Sequence, residues 1–216
     1  MITFARMTIL HYSPGAASML VHWLLLELRI PHELRAMDFA SREHKQPKYL
    51  ALNPSGVVPT LVLDGRPMTE AAAIAMHLAE SHPGAGLAPA AGTPARRDYL
   101  QWMLHLSNAV QPLFRILWYP HEVAGEAQAE AAREHVRPRI EEAWARIDSH
   151  LSANGLYLLG DAPCVADFYL VMLMRWSRNM PRPATDWPRL ASLATAMKAR
   201  PSFAALYTAE GLEEWR

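Results

Sequence analysis

The sequence predicts two domains of different class: a small mixed α/β domain, then a larger all-helical one. Three observations predict this. Up to about residue 82, short β-like runs alternate with helical patterns. Residues 81–94 are then dense in Pro and Gly, the composition of a connecting segment. Beyond them nearly every pattern is helical. A length of 216 residues suits one large domain or two small ones. The expected boundaries are 1–84 for the first domain, 85–94 for the linker and 95–216 for the helical domain.

Residues 7–12 read as a strand closed by Ser13-Pro14-Gly15. Residues 17–28 follow as a helix with Val21, Leu24, Leu25 and Leu28 on one stripe. Residues 32–38 read as a second strand. The run Leu61-Val62-Leu63, the pair Asp64-Gly65 and then Arg66-Pro67-Met68 form two short strands around a tight turn. Thr69 and Glu70 open an Ala-rich helix that stops at Pro83-Gly84. Helical patterns then cover about 95–118, 127–152, 164–178 and 188–199. The charges between 126 and 146 mark a solvated helix face.

Composition excludes several classes. Half of the residues are hydrophobic (51%), which excludes disorder. Lys+Arg and Asp+Glu both number 21, and the segments before and after Gly84 are each neutral, so neither forms the basic face that nucleic acid requires. The single cysteine, Cys164, can form no internal disulfide and no Cys-x-x-Cys site, and its apolar neighbours mark it as a small buried hydrophobe. The ten histidines show no metal spacing, so no metal site is expected. The longest apolar run, 168–174, is far short of the roughly 20 residues that span a bilayer. Without a secretory pattern at the start, the expectation is a soluble, cytoplasmic protein without a membrane partner. Met7 competes with Met1 as the starting residue.

Three segments are candidates for chemistry and a fourth carries a folding signal. In Asn53-Pro54-Ser55-Gly56-Val57-Val58-Pro59, the last residue is either an ordinary strand-opening proline or one in a cis peptide that turns the Val58 backbone toward a peptide ligand. Thr69-Glu70-Ala71 is either a plain acidic helix start, favourable for its own helix, or a site where free N–H groups suit a ligand carboxylate and Glu70 an ammonium. In Tyr12-Ser13-Pro14-Gly15-Ala16-Ala17-Ser18, Ser18 either caps the next helix or donates to an anion. Cys164 and Asp167 have the spacing of a capping box on a late helix.

These segments occur in a familiar order. With Leu106-Ser107-Asn108-Ala109-Val110-Gln111-Pro112, Tyr157-Leu158-Leu159-Gly160-Asp161 and Val165-Ala166-Asp167, the chain resembles a cytosolic glutathione S-transferase of the bacterial, beta-like group. The resemblance runs from about Met7 to Leu212. It implies a thioredoxin-like first domain, an all-α second domain and a homodimer. It also implies glutathione as co-substrate, with no bound cofactor. Val58, ahead of Pro59, would bond the cysteinyl backbone; Glu70 would take the γ-glutamyl ammonium and the Ala71 N–H its carboxylate. Arg42, or Lys45, would face the glycine carboxylate. A small apolar electrophile would lie between the domains, lined by Asn108, Gln111, Phe114, Trp118, Tyr119 and Trp176.

Three residues depart from the group's pattern. Ala17 stands where beta-like members often carry cysteine, so no protein–glutathione disulfide can form there. Gln111 stands where relatives often have His, and Cys164 replaces a Ser/Thr cap. Lowering a thiol pKa from about 8.5 by one to two units takes roughly 1.4–2.7 kcal/mol. One hydrogen bond to a charged group supplies about 1.5–3 kcal/mol. Ser18 is the first candidate for that bond and Tyr12 the second. The reading is therefore glutathione conjugation. Its alternatives are glutathione-dependent disulfide or peroxide reduction, or a non-catalytic ligand-binding protein of the same fold.

Overall fold

Strand β1 (Ile9–Tyr12) lies inside a four-stranded sheet of order β2-β1-β3-β4. The structure is a computed structural model and describes residues 8–215. Strand β2 (Glu33–Ala36) pairs with β1 in parallel, a geometry that needs a crossover. Helix α1 (Ser18–Glu27) supplies it. Strand β3 (Thr60–Leu63) runs antiparallel to β1, with Leu10 opposite Leu61. Strand β4 (Arg66–Met68) returns antiparallel to β3. Between them Asp64 and Gly65 have φ of 51° and 77°, the positive pair of a primed hairpin turn. The expected strand start at Met7, and the choice between Met1 and Met7, lie outside the described residues.

Two more helices belong to this part, α2 (Pro47–Leu50) and α3 (Ala71–Ser81). The sequence reading places one apolar stripe on α1. In the structure Ser18 through Leu25 are all buried. Helix α1 packs on β1 and α3 and, from the far end of the chain, on another helix, so it is buried on more than one face.

The helical part contains α4 (Pro94–His105), α5 (Gln111–Trp118), α6 (His121–Ala124), α7 (Ala129–Asn154), α8 (Val165–Trp176) and α9 (Pro188–Lys198). The single helix expected over 95–118 is interrupted by a π turn, Leu106–Val110. Pro112 explains it: a proline lacks the N–H and its ring crowds the carbonyl four residues back, so the ladder widens there. Helix α8 is buried along its whole length, at the centre of a core that includes Tyr99, Phe114 and Trp144. The charged face expected on α7 is present, with Arg133, Arg137 and Arg146 paired to Glu130, Glu134 and Glu142.

The last helix, α10 (Pro201–Glu210), departs from the expected domain plan. The chain divides into two compact units: Leu87–Ala199 with Trp215, and the residues up to Gly86 with Arg200–Glu214. Helix α10 thus belongs with the sheet. Trp23 Nε1 donates to Ser202 Oγ at 2.9 Å, its ring meets Phe203, and Arg200 pairs with Glu27. Among the described residues, no helix is long and apolar enough to cross a membrane.

Candidate functional site in the mixed unit

The loop before β3 is the most tightly specified part of the sheet unit. The Val58–Pro59 peptide bond is cis. Two side chains hold the carbonyl just upstream: the Tyr49 hydroxyl donates to Val57 O at 2.7 Å and Asn53 Nδ2 donates to it at 2.8 Å. Both also reach Thr60 Oγ1, at 2.8 and 3.2 Å. Lys45 Nζ donates to the carbonyl of Gly56 at 2.8 Å and that of Ser55 at 3.3 Å. At Gly56, φ is +58° and an added Cβ would stand 2.8 Å from the His44 carbonyl oxygen, so only glycine fits. Within this bracing, the Val58 N–H and C=O have no partner among the described residues. An open donor and acceptor on one residue can pair with an extended peptide.

Helix α3 opens beside a second unusual residue. Glu70 is its N-cap with φ 68° and ψ 107°, left-handed backbone that a non-glycine residue adopts at a cost. Its side chain is exposed and its carboxylate has no partner among the described residues. The Glu70 carbonyl accepts the first helical N–H, from Ile74, at 2.9 Å, which leaves the Ala71 N–H at the open helix end. Carboxylate and helix N-terminus together suit a group that carries both an ammonium and a carboxylate.

Of the two basic residues expected in the loop after β2, Lys45 is spent on the Ser55 and Gly56 carbonyls. Arg42 is exposed, with φ 58°, and its guanidinium has no partner among the described residues.

In the turn after β1, the Ser18 hydroxyl meets the backbone of Ser13. Ser18 Oγ accepts the Ser13 N–H at 3.1 Å and donates to the Ser13 carbonyl at 3.1 Å, and Ser18 is fully buried. A hydroxyl has one hydrogen, and here it closes the turn. Tyr12 is half-buried at the end of β1, and its hydroxyl has no hydrogen-bond partner among the described residues. The N–H groups of Ala17 and Ser18 also stand at an open helix start.

Sequence reasoning missed the group that anchors this turn from a distance. Glu210 of α10 accepts the Gly15 N–H at 2.8 Å through Oε2 and faces His22 Nδ1 at 2.8 Å through Oε1. Both side chains are fully buried. No local pattern could have joined residues so far apart. Asn53 was visible within its motif; Tyr49 carried no signal at all.

Among the residues expected at an electrophile pocket, the structure brings Trp118 and Trp176 together, with ring centroids 4.9 Å apart. They line one cleft of the helical unit. Asn108 and Gln111 are not on it: Asn108 accepts from Ser107, and Gln111 accepts the Tyr169 hydroxyl. Phe114 is fully buried core rather than lining, and Tyr119 lies under the Arg115 guanidinium at 4.4 Å. Cys164 is buried, and its burial pushes the thiol well above the ordinary range. A thiol so disfavoured as thiolate is no nucleophile. Among the described residues, no group of His, Cys, Asp and Glu could hold a metal ion.

A four-stranded mixed sheet with a cis-proline loop ahead of its third strand is a thioredoxin-like domain, here joined to an all-helical one. The family models for the glutathione S-transferase N-terminal and C-terminal domains match residues 10–86 and 130–209. A glutathione S-transferase of Xanthomonas campestris, GST-4.5, is 31% identical over 94% of this chain and 98% of its own. A beta class enzyme of Sphingomonas chungbukensis is 30% identical, with a TM-score of 0.82 over 95% of this chain and 100% of that one. A glutathione transferase homologue from Sulfitobacter, solved with bound glutathione, is 28% identical with a TM-score of 0.87, covering 96% and 99%. The chain belongs to the glutathione S-transferase family, enzymes for which glutathione is the co-substrate.

Proposed function

We propose that this enzyme conjugates the glutathione thiolate to a small electrophile with an apolar body. One observation carries the reading: the open N–H and C=O of Val58, the unpaired Glu70 carboxylate at the start of α3 and the unpaired Arg42 guanidinium all occur on the sheet unit. They answer the three polar parts of a γ-glutamyl-cysteinyl-glycine chain. Val58 pairs with the cysteinyl backbone, Glu70 takes the ammonium, the Ala71 N–H takes the adjoining carboxylate, and Arg42 takes the glycine carboxylate.

The thiolate then lies by the turn after β1. The open N–H groups of Ala17 and Ser18 and the Tyr12 hydroxyl stabilise it; a hydrogen bond to a charged group is worth about 1.5–3 kcal/mol, enough to ionise the thiol near pH 7. The thiolate sulfur attacks an electrophilic carbon, a C–S bond forms, and the leaving group departs with its electron pair. The protein contributes orientation and thiolate stabilisation and forms no covalent intermediate. Ala17 and the buried Cys164 supply no accessible protein thiol, so the reductive alternative would need a second glutathione in place of a cysteine. Homodimerisation and a cytoplasmic location belong to the same proposal.

Glu70→Gln tests the reading. It keeps the shape and removes the charge, so glutathione affinity measured by calorimetry falls about tenfold or more, the loss of one charge-assisted bond. Unaltered affinity places glutathione elsewhere.

A further inference from the structure

Trp118 has a surplus of exposed aromatic surface that its own fold does not use. It is 42% exposed at the end of α5, with Trp176 of α8 edge-on beside it. Both rings are braced from inside by Phe114, at 5.7 and 5.8 Å. They form one wall of a cleft of about 220 Å³ that lies wholly within the helical unit. Arg133 and Arg137 of α7 form another wall, and Asn179, Met180 and Pro181 close the end. A cavity of about 150 Å³ holds a benzene ring, so this one takes a ring with a substituent.

The charge of the cleft is one-sided. Two arginines are among its lining residues and, among the described residues, no acidic one is. They sit one helical turn apart and so present neighbouring forks. Their side chains are only 34% and 30% exposed, whereas the carboxylates that pair with them, Glu130 and Glu134, are 65% and 57% exposed on the solvent side. Exposed pairs of this kind contribute little, and a planar anion offered from the cleft competes well with them. Arg133 Nε donates to the Leu117 carbonyl at 3.1 Å, which fixes that guanidinium against the end of α5. Among the described residues Arg137 uses only Nη1, leaving its other donors to a ligand.

We infer that this cleft recognises an aromatic acid: a flat ring against Trp118 and Trp176 with its carboxylate on Arg137 and Arg133. This rests on the conjugation reading and deepens it, because it gives the electrophile an anionic group that apolar lining alone does not supply. Conjugation needs such an acid to carry a leaving group, for example a halide, on the ring carbon that the thiolate attacks. The C–S bond forms, the carbon–halogen bond breaks, and the halide leaves with the bonding pair.

The test compares chlorodinitrobenzoate with chlorodinitrobenzene, which differ by the carboxylate. The wild-type ratio of their kcat/KM values favours the acid. Arg137→Gln and Arg133→Gln each lower that ratio about tenfold, the loss of one charge-assisted hydrogen bond, and Arg137→Lys restores part of it. An unchanged ratio overturns the inference, as does an equal loss on both substrates. A second measurement needs no turnover: quenching of tryptophan fluorescence in the intact protein by nitrobenzoate and by nitrobenzene. Tighter quenching by nitrobenzoate that Arg137→Gln weakens and Trp118→Phe diminishes supports the cleft even if neither chloride is conjugated, in which case only the conjugation reading fails. Equal quenching by the two probes overturns the cleft's preference for an acid.

Discussion

Ser18 carries a hydroxyl at the start of α1, where a sequence reading expects it to meet a ligand. Its bonds go instead to both backbone groups of Ser13, so its work is to close the turn that follows β1. Ser18→Ala leaves the Ser13 N–H and C=O without that partner, at a cost of about 1–3 kcal/mol. The expected outcome is a lower thermal midpoint with unchanged ionisation of the bound glutathione thiol. A shift in thiol ionisation without loss of stability would return Ser18 to the chemistry. The contrast with Glu70 is instructive. Its type and position at a helix start were legible from Thr69-Glu70-Ala71, because an N-terminus has the same open N–H groups in every helix. Its left-handed φ of 68° was not, since that depends on how β4 delivers the chain to α3.

Helix α8 shows how a short local signal survives into the structure. The spacing of Cys164 and Asp167 predicted a capping box, and Asp167 Oδ2 accepts the Cys164 N–H at 2.8 Å. Oδ1 also accepts the Leu158 N–H at 2.9 Å, tying the preceding loop to the helix start. Burial raises the Asp167 carboxyl to about 6 from an ordinary 3.8. Below about pH 4 the folded and unfolded chains both hold this proton, and between about 4 and 6 the unfolded chain releases it first. Asp167 therefore favours the fold most at low pH, and this contribution fades as pH rises to about 6. Urea midpoints of the wild type relative to Asp167→Asn should fall across that window and stay level above it. A flat difference from pH 4 to 6 would contradict the raised carboxyl. The π turn at Leu106–Val110 was less legible. The apolar period runs through it without a break, and only Pro112 marks where the ladder must widen.

At the scale of the whole chain, the sheet unit is completed by the last helix. Pro and Gly between residues 81 and 94 announced a boundary, because such residues punctuate any chain locally. No local feature announced that Arg200–Glu214 rejoin the first unit; that follows from buried complementarity between α1 and α10. Glu210→Ala removes an acceptor of the Gly15 N–H and the partner of the buried His22 ring, both held at 2.8 Å, and should cost about 1–3 kcal/mol for the buried imidazole that loses this bond. Thermal unfolding checks this: a midpoint equal to the wild type would mean that α10 is not needed to hold the turn.

The central claim is that the sheet unit binds glutathione and ionises its thiol by means of an open helix start and the Tyr12 hydroxyl, without a protein cysteine. The most direct measurement is a pH titration of the ultraviolet thiolate absorbance of glutathione bound to the intact enzyme. The account predicts ionisation with a midpoint below about pH 7, at least one unit under that of a free thiol. Bound glutathione that ionises near an ordinary pKa of about 8.5, or no binding at millimolar glutathione, would contradict it.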